Sequence, residues 1–127
     1  LEIAGAAGDA QHNKNVDGKS IVGLLKSPSA TLGRDAIFWH YPHYHPGGAT
    51  PYGAVRSGDW KLINFYEDMR VELYNLKNDI GEANDLAKSN TAQAKLLHDR
   101  LRAWRTAVGA QMPTANPDRQ TKKQKQS

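Results

Sequence analysis

The chain has no cysteine. Disulfides, thiolate metal sites and a cysteine nucleophile are therefore excluded within its 127 residues. Extracellular proteins need not use disulfides, so the redox compartment stays open. No apolar run approaches the roughly 20 residues that a membrane-spanning helix needs. There is no glycine-rich phosphate loop, no internal repeat, and no Ser/His/Asp set with a nucleophile context. By itself the chain carries no evident catalytic machinery.

What is present suits one domain with one modest core. Its net charge of +4 is unevenly placed, because Arg119, Lys122, Lys123 and Lys125 crowd the end against Asp118 alone. The rest is close to neutral, which argues against an extended nucleic-acid surface. A polybasic tail can bind an anionic surface, but so short a run without aromatics reads first as a solvated, disordered end. The chain opens at Leu1 inside an apolar run, with no Met and charged leader. That is the start expected of a piece of a longer protein.

Tyr52 to Arg56 and Trp60 to Tyr66 are strand-like runs joined by Ser57-Gly58-Asp59. Gly58 is free to take positive φ, so the pair reads as a β-hairpin. Arg34 to Tyr41 is a further strand. Ile37, Trp39 and Tyr41 share one face and Phe38 and His40 the other, so burial on both sides is expected. Met69 to Asn75 makes a fourth strand, completing an antiparallel meander. Ala83 to Ala87 could form a helical turn. Ala94, Leu97, Leu101, Trp104 and Val108 then fall on one helical stripe, with Lys95, Asp99, Arg102 and Arg105 off it. Ser89 or Thr91 can cap that helix, and Gly109 can end it. The expected fold is α+β: a four-stranded antiparallel sheet with a C-terminal helix packed on one face. The expected division is a truncated helix and linker over 1–33, the α+β unit over 34–112 and a disordered basic tail over 113–127.

The candidate site is the loop between the first strand and the hairpin. It holds Pro42, Pro46, Gly47, Gly48 and Pro51, and His40, His43 and His45 surround its start. Imidazoles can bind metal, move protons or donate hydrogen bonds to an anion. Metal ligation is the sharper reading. Against it, Pro42 interrupts the backbone, no carboxylate lies in the cluster, and the spacing matches no common zinc pattern. Loops beside rigid strands carry function, so these histidines are candidate substrate-binding residues. His40, on the strand, is the one most suited to a structural role. Arg34, Arg56 and Lys61 are expected in salt bridges to Glu72, Asp59 or Glu67, and Asp79 and Glu82 are expected to stabilise the turn before the helix.

Four stretches in order resemble the C-terminal region of arylsulfatase-type sulfatases. They are Leu1-Glu2-Ile3-Ala4-Gly5; Asp17-Gly18-Lys19-Ser20 with Leu24-Leu25; Ala54 to Ile63 around Gly58-Asp59-Trp60-Lys61; and Glu72 to Leu76 with Asp79, Gly81-Glu82 and Asn84 to Ala87. Ile80 and Gly23 depart from prolines frequent in the family. The resemblance implies a formylglycine-dependent, alkaline-phosphatase-like sulfuric ester hydrolase whose nucleophile and calcium site lie in an upstream catalytic domain. The parent would act on a sulfated carbohydrate or an aryl sulfate. This chain would be inactive alone, hold no metal or cofactor, and contribute stability and substrate contacts at the cleft rim through the loop at His40, His43 and His45. Its partners would be that N-terminal domain and the sulfated substrate, with no nucleic acid and no membrane, and an exposed docking face could let the isolated piece self-associate. The family implies a periplasmic, extracellular or lysosomal location. The alternative is a stand-alone module binding an anionic polymer through the His-rich loop and the basic tail.

Overall fold

A computed structural model describes residues 18–114. The helix end expected at residues 1–7 and nearly all of the expected 113–127 tail lie outside the described residues. The chain divides into two compact units after Asp35. The first contains α1 (Val22–Lys26), one short turn that buries none of its residues. Leu25 N–H donates to the Ile21 carbonyl at 3.1 Å. Lys19 Nζ reaches the Gly33 carbonyl at 2.8 Å.

The second unit is a meander of β1 (Ile37–Tyr41), β2 (Tyr52–Ser57), β3 (Trp60–Phe65) and β4 (Val71–Asn75), followed by α2 (Thr91–Ala107). The strands pair antiparallel in chain order. Ser57 pairs directly with Trp60, so the hairpin turn is the two residues Gly58 and Asp59. Gly58 has φ 57° while Asp59 stays outside the left-handed region. Glycine at the first central position is the chemistry a two-residue turn of this hand requires.

Register builds the core. Phe38, Val55, Leu62 and Leu73 stand side by side across the four strands. Onto this row α2 lays Ala94, Leu97 and Leu101, all buried. Trp104 stacks flat on Phe38, with ring centroids 5.0 Å apart. Val55, Leu62 and Leu101 are fully enclosed. Each such side chain contributes about 1.5–3 kcal/mol through loss of apolar surface from water. Asn90 rather than Ser89 or Thr91 caps α2, its side chain accepting from Gln93 N–H at 3.3 Å. Gly109, at φ 64°, follows the helix end as its spacing suggested.

Several local expectations differ from what forms. The first strand begins at Ile37, not Arg34. Its two faces are unequal: Phe38 lies under α2, whereas Ile37 and Trp39 remain 42% and 44% exposed. Residues 83–87 form no helical turn. They run beside β4 instead, where Asp85 Oδ1 accepts from Leu73 N–H at 2.9 Å and Leu86 N–H donates to the Leu73 carbonyl at 2.8 Å. Both backbone groups on that stretch of sheet edge are thereby satisfied, which blunts strand addition there. Val108 is 56% exposed, so the stripe ends at Trp104. Arg105, off the apolar stripe, is nevertheless buried.

Candidate functional site

The loop joining β1 to β2 is anchored at both ends. At its far end Pro51 is fully buried, and its carbonyl accepts from Tyr66 N–H at 2.9 Å. In the middle, residues 45–49 close a tight turn: Gly48 N–H donates to the His45 carbonyl, and His45 N–H to the Ala49 carbonyl, each at 2.9 Å. Gly48 takes φ 97°, a conformation that other side chains resist.

The three candidate histidines occupy different environments. His40 is committed within the fold. Its Nδ1 meets Tyr66 Oη at 2.7 Å and its Nε2 meets the Gln111 carbonyl at 2.8 Å. A carbonyl only accepts, so Nε2 carries the proton, and in the neutral ring Nδ1 accepts from the tyrosine hydroxyl. His40 thus ties the end of β1 to the end of β3 and to the chain beyond α2. His45 is exposed, and its Nδ1 accepts from Gly47 N–H at 2.9 Å, leaving Nε2 for a further contact. His43 is exposed and packs edge-on against Tyr41, centroids 5.6 Å apart. Tyr44 reaches out of the loop and donates to Glu67 Oε1 at 2.8 Å. Among the described residues, no three His, Cys, Asp or Glu side chains converge to hold a metal ion.

Beneath the loop lies a polar network that the sequence pattern did not suggest. Arg105 Nη1 donates to Asn64 Oδ1 at 3.2 Å, and its guanidinium lies 5.3 Å from the centre of the Tyr66 ring. Fully buried Asn64 in turn donates to the carbonyls of Met69 and Arg70, each at 3.3 Å. Burying a charge is costly unless it is hydrogen-bonded, and this network supplies the partners. Gly53, opposite His40 on β2, makes room for it. A Cβ there would stand 2.2 Å from Tyr66 Oη. A glycine inside a strand pattern is the sequence signal for such a close approach.

Lys61 departs from its expected pairing. It bonds Glu82 at 2.6 and 2.8 Å rather than Glu72, Asp59 or Glu67. Glu72 is engaged by Arg70 and by Tyr74 Oη. Burial, then that bond to Glu72, pushes the Tyr74 phenol up to about 12. Asp79 does stabilise its turn, accepting from Ala83 and Asn84 N–H, and these two donors hold its carboxyl below the usual range.

A four-stranded antiparallel meander backed by one C-terminal helix is the architecture expected of a C-terminal sulfatase subdomain. Comparison with known proteins agrees. Residues 1–107 match the family described as N-sulphoglucosamine sulphohydrolase, C-terminal, and the chain belongs to that family. It is 37% identical to a sulfatase of Formosa agariphila, over 81% of this chain. The chain spans only 21% of that relative's length. Its fold resembles BT4656, solved in complex with its substrate D-glucosamine-2-N,6-O-disulfate, with a TM-score of 0.66 at 25% identity over 86% of this chain and 22% of that one. It also resembles the fold of BT1596, a 2-O GAG sulfatase, with a TM-score of 0.62 at 23% identity over 91% of this chain and 26% of that one.

Proposed function

We propose that this chain is the C-terminal portion of a sulfuric ester hydrolase acting on a sulfated carbohydrate. In this reading it stabilises the parent enzyme and contacts the organic part of the substrate at the cleft rim. The observation that carries the reading is the family match over residues 1–107, which joins the sheet, the helix and the histidine loop in one recognised unit. The sulfated glucosamine bound by BT4656 supports a carbohydrate over a simple aryl sulfate. The chemistry of ester cleavage, with its nucleophile and calcium, belongs to the N-terminal catalytic domain of the parent. The role of this unit is presentation. His43 and the free Nε2 of His45 are the loop donors available to hydroxyl or sulfate oxygens. His40 is already occupied, so it acts by holding the loop's origin.

The test is made in the full-length enzyme. Replacing His43 and His45 by Ala is expected to lower kcat/KM on a sulfated saccharide by about tenfold, equivalent to about 1.4 kcal/mol of transition-state binding. Unchanged kinetics would remove the loop from substrate recognition. The 127-residue chain alone is expected to release no sulfate from an aryl sulfate. Turnover by it would overturn the assignment of the chemistry to another domain.

A further inference from the structure

One buried cation lacks a counter-charge. Arg105 is 8% exposed, yet among the described residues no carboxylate lies within ion-pair reach of it. Its partners, Asn64 and the Tyr66 ring, are neutral. A guanidinium carries more N–H donors than these use, and a buried charge is costly while it stays unpaired. Arg102, one turn earlier on α2, has only a share of Asp99: one carboxylate oxygen stands 4.0 Å from it, while Lys95 holds the other at 2.5 Å. The two arginines border one pocket of about 380 Å³, completed by Thr106, Gly109, Ala110 and Met112 where the chain leaves the helix. His98, on the same helix, reports the surplus charge. Burial first, then Arg105 and Arg102, hold its imidazole below the ordinary range. The carbonyls at the end of α2 do not repel an anion from this pocket, because they are occupied. Those of Trp104, Arg105 and Thr106 accept from the N–H groups of Val108, Ala110 and Gly109, and that of Arg102 accepts from the Thr106 hydroxyl.

We propose that Arg102 and Arg105 form an oxyanion site that takes a sulfate group, free or carried on a saccharide. The choice of sulfate rests on the sulfatase reading above; the pocket and its charge stand without it. Guanidinium groups present planar donor forks that match the edge of an oxyanion, so two of them at one pocket select such a group over a neutral ligand. An anion seated there supplies the counter-charge that Arg105 lacks. A bare sugar would leave both cations unanswered, and a metal cation would be repelled. The volume falls in the range of roughly 300–1,000 Å³ typical of small-molecule sites. It suits one charged group with the ring that carries it. Gly109 and Ala110 keep the pocket wall low, and Met112 offers the apolar surface on which such a ring can rest.

Hydroxyl-radical footprinting of the full-length protein tests this, with inorganic sulfate and glucose 6-sulfate as separate probes. Met112 lines the pocket and is 40% exposed, and Leu96, 57% exposed on α2, is the reference. The probes are expected to lower Met112 oxidation severalfold and leave Leu96 unchanged. Sodium chloride at equal ionic strength should change neither. Arg102→Gln should raise the sulfate concentration needed for half-protection about tenfold, through loss of one charge-assisted fork. The Arg102 side chain is 66% exposed, so this variant keeps the fold. Arg105→Lys retains the buried charge without the planar fork and should weaken protection as well. Protection by both probes assigns the site to the sulfate group itself. Protection by glucose 6-sulfate alone assigns it to the ester, and by inorganic sulfate alone to the free anion. Protection by neither probe, equal protection by chloride, or protection that survives both substitutions would overturn the proposal. So would a Met112 already shielded before any anion is added, since the parent polypeptide then fills the pocket. These readouts need no turnover. A protein in which sulfate shields Met112 but no sulfate ester is hydrolysed would sink the functional reading and leave the oxyanion site standing. An active sulfatase in which neither probe shields Met112 would do the reverse.

Discussion

Gly53→Ala is the substitution whose cost can be worked most directly from the structure. A Cβ at position 53 lies 2.2 Å from Tyr66 Oη, 3.1 Å from Tyr66 Cζ and 3.3 Å from the Trp39 carbonyl. The tyrosine cannot simply withdraw. Its hydroxyl donates to His40 at 2.7 Å, its amide is bonded to the Pro51 carbonyl at 2.9 Å, and Arg105 lies over its ring. Forcing an extra carbon into a filled site costs about 1–3 kcal/mol. Losing the His40 bond costs about 1 kcal/mol more. Restricting the unfolded chain returns about 0.4–1 kcal/mol. The net expectation is a loss of about 2 kcal/mol, read as a fall of about 1 M in urea midpoint with tryptophan fluorescence as the probe. Tyr66→Phe removes the atom that clashes. On its own it should cost about 1 kcal/mol, from the lost bond and the stranded His40 nitrogen. In the double variant the worst contact is gone and only the tighter Cζ approach remains. Gly53→Ala should therefore cost clearly less in the Tyr66→Phe background, with a coupling of about 1 kcal/mol. The reasoning is refuted if Gly53→Ala costs the same in both backgrounds, or if it is neutral.

Two further predictions concern groups with an identifiable physical burden. His98 Nε2 is buried without a hydrogen-bond partner, and burial, then the charges of Arg105 and Arg102, holds the imidazole below its ordinary 6.5 against a smaller opposing pull from Asp99. The unfolded chain then binds the proton more readily, so the stability this group supports is complete above about 6.5 and is lost as pH falls below it. Urea midpoints should drop between about pH 7 and pH 5.5 more steeply in the natural chain than in His98→Gln; parallel slopes would exclude His98 as the cause. Asp85→Ala should cost about 1–2 kcal/mol, because its Oδ1 accepts from both Leu73 and Ala87 N–H. Asp85→Asn keeps an acceptor there and should cost less, so the reverse order in urea denaturation would show that the bonds are not the source.

The sheet and helix were legible because two periodicities are plain in the chain. Strand alternation across Phe38, Val55, Leu62 and Leu73 and the helical stripe of Ala94, Leu97, Leu101 and Trp104 each specify one buried face, and those faces meet. Periodicity could not say that the opposite face of β1 stays open, since Ile37 and Trp39 look the same in sequence whether a second layer lies inside or outside the chain. Arg105 escaped because a charged residue off an apolar stripe reads as solvated. It is buried only because Asn64, fully enclosed one strand away from Gly53, offers it an acceptor, and that pairing spans 41 positions. The histidine loop was visible as composition, but composition could not divide its members. His40 differs from His43 and His45 because Tyr66 and Gln111 converge on it from 26 and 71 residues away. The same convergence links the loop to the unit's stability. The network that holds His40, Tyr66 and Arg105 sets where the loop begins, so if the loop contacts saccharide as proposed, Gly53→Ala in the full-length protein should disturb that binding even though Gly53 lies beneath the loop. A rise in KM with kcat retained would be the expected signature, since presentation is altered while the chemistry elsewhere is not.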